Sequence, residues 1–81
     1  MNIADRWVEK EGRLETTVDT VDFLGAITLI QQIADIAEEQ RHHPNLHLHN
    51  YSKLTISLIS HDAGQVTERD RKLAAAIDNI L

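Results

Sequence analysis

Residues Leu54 to Ile59 alternate strictly: Leu54, Ile56 and Leu58 fall on one side of a strand and Thr55, Ser57 and Ile59 on the other. Just upstream, Leu46 and Leu48 alternate with His47 and His49. Leu46 to Ser60 therefore reads as a hairpin with Asn50 to Lys53 at its turn. A second hairpin is read over Arg6 to Val18. Trp7 and Val8 suit one strand, Leu14, Thr16 and Val18 the other, and Glu11-Gly12 the turn between them.

Between the hairpins the period changes. Phe23, Ile27, Ile30, Ile33, Ala34 and Ala37 recur at helical spacing, which predicts a helix from Thr20 to about Arg41 with Asp19 or Thr20 as its cap. Leu24, Leu29 and Ile36 widen the stripe, so this helix is expected to touch more than one surface. Gly25 inside it costs roughly 1 kcal/mol against alanine and marks a point of close packing. Pro44 ends the helix, because the residue before a proline is driven out of the helical region. A terminal helix is expected over Thr67 to Leu81, opened by a capping box in which Asp70 replaces the usual glutamate. Its buried stripe is read as Leu73, Ala74, Ile77, Ile80 and Leu81, and Ala74-Ala75-Ala76 would admit a close helix neighbour. The order β-β-α-β-β-α gives an α+β fold, a four-stranded antiparallel sheet with both helices on one face.

Composition narrows the function. With 81 residues the chain is read as a single domain spanning 1–81. No cysteine is present, which excludes disulfides, thiolate metal sites and thiol nucleophiles. Thirteen acidic side chains against 8 basic ones give a formal charge of −5. That charge argues against nucleic acid and against an anionic membrane surface. The apolar stretch Gly25 to Ile30 is far short of the roughly 20 residues of a membrane span. The first residues show no basic-then-apolar leader, so a soluble, cytoplasmic protein is expected. Ordering costs roughly 1.5 kcal/mol per residue, which leaves a lone core of this size marginal, so a homo-oligomer is expected.

The chemistry concentrates in Glu38-Glu39-Gln40-Arg41-His42-His43-Pro44. Glu38 and His42 are four apart, so on a continuing helix a carboxylate would hold the His42 ring. His43 leaves the helical path before Pro44, and His61 stands where the clearest strand ends, before Asp62-Ala63-Gly64. Three imidazoles at the ends of elements suit proton transfer near neutral pH. The same His-His-Pro also serves as a plain polar stop signal. His47 and His49 share one strand face and have the ligand type for zinc, copper or nickel, but no third ligand is placed beside them, and a solvated strand face explains them more simply. Asp5, Glu9, Glu11 and Glu15 read as surface charge. No phosphate loop and no serine elbow is present.

Taken together, Glu38, His42-His43-Pro44, Tyr51, His61 and Asp70 at their spacings resemble the signature of the pterin-4a-carbinolamine dehydratases. Trp7, Leu14, Asp22-Phe23, Ser60-His61-Asp62-Ala63-Gly64 and Val66-Thr67-Glu68-Arg69-Asp70 extend the resemblance over most of the chain. It implies dehydration of 4a-hydroxytetrahydropterin to the quinonoid dihydropterin, in pterin recycling, with no metal or other cofactor. It further implies a homodimer or homotetramer, His42, His43 and His61 as catalytic histidines, and Glu38 as their supporting carboxylate. Tyr51 and Asp70 match motif positions without an assigned step. Many members carry a further helix before the tryptophan, where this chain has Met1 to Arg6. The loop from Pro44 to Tyr51 is one residue longer than in many members, and Gln65 stands where a second glycine is common. The alternative is a non-catalytic scaffold of the same fold that binds a protein partner. Relatives of that kind serve an animal transcription factor as a dimerisation cofactor or assist rubisco assembly in carboxysomes.

Overall fold

The computed structural model describes residues 3–81. It contains strands β1 (Val8–Lys10) and β2 (Arg13–Asp19), helix α1 (Phe23–Gln40), strands β3 (Asn45–His49) and β4 (Lys53–Leu58), and helix α2 (Glu68–Asp78). The four strands form one antiparallel sheet in the order β1-β2-β4-β3. Thus the strand with the clearest alternation lies in the middle, paired on both edges.

Register explains the layering. Leu14 pairs with Leu58, Thr16 with Ile56 and Leu46 with Ile56, which puts the apolar side chains of β2, β3 and β4 on one face. Leu29 and Ile33 of α1 and Leu73, Ala74 and Ile77 of α2 close that face into a core shared with Trp7. The opposite face carries polar positions. Thr17 and Thr55 join their hydroxyls across the strands at 2.8 Å, and His49 Nε2 lies 2.9 Å from Thr55 Oγ1.

Local chemistry fixes the connections. The β1–β2 turn places Glu11 and Gly12 at φ 52° and 79°, the doubly left-handed geometry of a tight hairpin turn. Asp78, near the end of α2, accepts hydrogen bonds from Trp7 Nε1 at 2.9 Å and the Ala4 amide at 2.8 Å, and pairs with Arg6 at 3.3 Å. A carboxylate at a helix C-terminus opposes the helix dipole, and here these three donors offset it.

Three expectations are corrected. The cap of α1 is Asp22, whose Oδ1 accepts the Gly25 amide at 2.7 Å, and neither Asp19 nor Thr20. Val21 sits at φ 75° with the Asp22 amide on the Thr20 carbonyl, a γ-type turn that delays the helix start. Thr20 instead bonds the carbonyl of Ser52 in the next hairpin. The buried stripe of α1 is Ala26, Leu29, Ile33 and Ala37, while Phe23 and Ala34 face outward. The start of the helix is thereby rotated about one position from the reading by period alone. Finally, Ile80 and Leu81 lie past the end of α2 and are exposed.

Candidate active site

Helix α1 stops in a Schellman arrangement. Arg41 adopts φ 54°, its amide bonds the carbonyl of Glu38, and the amide of His42 bonds that of Ala37. This reversal swings His42 off the helical path. The expected Glu38–His42 pair therefore does not form, since the four-residue rule holds only while both residues remain helical. Glu38 pairs with His43 Nε2 instead, and both side chains are exposed. His42 turns inward and meets Asp70, with Nε2 2.5 Å from Oδ1.

Asp70 is fully buried. Its Oδ2 accepts from the Thr67 amide and from the Ser60 hydroxyl, both at 2.8 Å. Burial alone would push the carboxyl up. The hydrogen bonds from His42, the Thr67 amide and Ser60 outweigh it and hold Asp70 below the ordinary carboxylate value. An ionised carboxylate only accepts, so the His42 Nε2 carries the proton and Nδ1 is the atom left to act as base when the ring is neutral. The capping box expected at Thr67 is present, and its Asp70 does double duty by anchoring the imidazole.

His61 sits in the tight loop that follows β4. Ser60 and Gln65 close the loop as a bridge, and the Ser60 carbonyl accepts the amides of Ala63 and Gly64. Arg69 on α2 grips Asp62 at 2.6 Å, and this bond holds the Asp62 carboxyl below its ordinary value. The His61 ring itself is exposed. One covalent step and two hydrogen bonds thus link His61 to His42: the adjoining Ser60, then Asp70.

The end of α1, the loop after β4 and the start of α2 meet through two contacts, His42 with Asp70 and Asp70 with Ser60; Glu38 and His43 form a separate exposed pair, and the exposed His61 ring is tied to the group only through its chain neighbour Ser60. Tyr51 is not among them. It lies exposed in the β3–β4 turn at φ 52°, roughly 15 Å away by the length of β3. His47 and His49 stand on the polar sheet face with ring centroids 4.8 Å apart, and among the described residues no set of three metal-ligating side chains gathers. A cavity of about 300 Å³ opens elsewhere, lined by Arg6, Val8, Lys10, Glu15, Thr16 and Thr17 and by none of the histidines. Sequence reasoning gave Ser60 no place in the site, and left Asp70 and Tyr51 without an assigned step. The only signal for Ser60 was its place inside the Ser60-to-Gly64 segment.

Comparison with known proteins identifies the family and the fold. The family model described as pterin 4 alpha carbinolamine dehydratase matches residues 1–80. The chain belongs to that family. A protein of Thermosynechococcus vestitus, provisionally named pterin-4-alpha-carbinolamine dehydratase, is 38% identical over 74 residues, covering 91% of this chain and 77% of its own. One of Herpetosiphon aurantiacus with the same provisional name is 40% identical over 74 residues, covering 91% and 76%. A crystal structure described as a transcriptional coactivator/pterin dehydratase from Brucella melitensis superimposes with a TM-score of 0.86 at 28% identity, covering 94% of this chain and 82% of that one. A pterin dehydratase-like protein identified as a RuBisCO assembly factor in the alpha-carboxysome shares the fold, with a TM-score of 0.71 at 21% identity over 93% and 86%. Among the described residues no helix is long and apolar enough to cross a membrane.

Proposed function

We propose that this protein dehydrates 4a-hydroxytetrahydropterin to the quinonoid dihydropterin, as a cytoplasmic homodimer or homotetramer. The observation that carries the reading is the buried Asp70–His42 pair, which leaves one imidazole nitrogen of fixed identity free to take a proton. A scaffold has no physical need to bury a carboxylate for that purpose. Family membership supports the same chemistry.

In the proposed reaction His61, as imidazolium, protonates the 4a-hydroxyl. The C4a–O bond breaks, water departs, and the N5 lone pair forms the C4a=N5 iminium. His42 Nδ1 removes a ring N–H proton and yields the neutral quinonoid product. Solvent then returns the proton from His42 to His61. His43, paired with Glu38, binds and polarises the pterin, and the Glu38 charge favours the iminium cation. General acid–base help of this kind contributes typically 10²–10⁴-fold.

The experiment generates the 4a-hydroxypterin in situ and follows its dehydration with the wild type and with His42→Ala, His43→Ala and His61→Ala. The reading requires wild-type acceleration over buffer and its loss in the His42 and His61 variants. Wild-type rates equal to buffer would sink it. A second reading, a protein-binding scaffold, is favoured by the exposed apolar side chains Val21, Phe23, Leu24 and Tyr51, away from His42, His43 and His61. The same surface supports oligomerisation. Sedimentation of the protein alone distinguishes a self-contact from a surface kept for another partner.

A further inference from the structure

We infer that Ser60 is a positioning residue of the site, acting through Asp70 on His42. The inference rests on the proposed reaction for its catalytic consequence, and on geometry alone for its structural content.

Ser60 is buried, and its single hydroxyl has two neighbours, Asp70 Oδ2 at 2.8 Å and Thr67 Oγ1 at 2.7 Å. Donor counting orders the chain. An ionised carboxylate cannot donate, so the Ser60 proton goes to Asp70. Thr67 Oγ1 accepts from the Arg69 amide at 3.3 Å, and its own proton is therefore free to reach Ser60 Oγ. The sequence of donations runs from the Arg69 amide to Thr67, to Ser60, to Asp70 Oδ2, with His42 donating to Oδ1 from the other side.

Capping does not explain Ser60. The capping box of α2 is complete with Thr67 and Asp70 alone. Ser60 comes from another element and adds a second donor to the same oxygen. With both donors on Oδ2, the carboxylate plane is fixed and Oδ1 is turned to His42. The backbone of Ser60 also closes the loop that carries His61. One residue thus sets the orientation of one proton-transfer group and the anchorage of the other.

The test compares Ser60→Ala and Ser60→Thr with the wild type by ¹⁵N NMR of the imidazole nitrogens and by dehydration kinetics. In the wild type, His42 is expected to be locked with its proton on Nε2, and the Ser60 hydroxyl proton to be slow to exchange. Ser60→Ala should give a mixture of His42 tautomers, leave the His43 signals unchanged, and lower kcat by about 10- to 100-fold with little change in KM. Ser60→Thr, which keeps the hydroxyl, should restore the single tautomer. A folded Ser60→Ala protein with the wild-type tautomer and kcat overturns the inference. So does a fast-exchanging Ser60 hydroxyl in the wild type, a measurement that needs no variant to fold. Should the wild type fail to dehydrate the pterin while the tautomer results hold, the proposed reaction falls and the positioning of His42 by Ser60 stands.

Discussion

Asp70 Oδ1 lies 2.5 Å from Nε2 of His42, a residue 28 positions earlier, and the carboxylate is wholly enclosed. Removing this buried acceptor leaves the Ser60 hydroxyl, the Thr67 amide and His42 Nε2 without their partner, which costs about 1–3 kcal/mol. Asp70→Ala is expected to lose about that much in urea unfolding, and the proposed dehydratase activity with it. Asp70→Asn keeps the shape but sets an amide N–H against existing donors, so it should recover only part of the loss.

The same carboxylate makes stability depend on pH. Its folded-state value lies below its ordinary one. Its contribution is therefore complete above the unfolded value near 4 and fades as pH falls through the lower folded value. Unfolding midpoints of wild type and Asp70→Asn measured from pH 7 to pH 2 should differ most at neutrality and converge in acid. A gap of constant size would contradict an ionised Asp70.

Gly25→Ala reverses the usual rule for helices. Alanine gains roughly 1 kcal/mol over glycine in a helix interior. Here a Cβ would stand 2.6 Å from the Thr20 carbonyl oxygen and 2.9 Å from Asp22 Oδ1. The first is backbone, held by the Ser52 contact, so the cap must shift. A net destabilisation of about 1–3 kcal/mol is expected by thermal unfolding.

Arg41→Gly should stabilise. A side chain in the left-handed region costs roughly 1–2 kcal/mol, and the greater freedom of glycine in the unfolded chain returns roughly 0.5–1 of it. A rise of a few degrees in the thermal midpoint is the expected outcome, with the His42–Asp70 pair intact.

Asp78→Ala should free the N-terminal segment. Trp7 and the Ala4 amide both lose their acceptor, at a cost of about 1–3 kcal/mol. Trp7 is the only tryptophan, so its fluorescence should shift to the red as the ring gains water.

Local pattern carried most of the fold. The alternation of Leu54, Ile56 and Leu58, the Glu11-Gly12 turn and the Thr67–Asp70 capping box each depend on residues a few positions apart, and each formed as read. The signature likewise marked Glu38, His42, His43, His61 and Asp70 as the residues to examine. Pairing among them was not legible. Glu38 and His42 have helical spacing, yet one left-handed residue, Arg41, parted them and gave Glu38 to His43 and His42 to Asp70. Spacing speaks for neighbours only while the backbone keeps one conformation. Where a helix ends, the direction of the next side chain is decided by whichever distant element packs there, and here that element is the first turn of α2 with its buried Asp70, joined by Ser60 from the loop after β4.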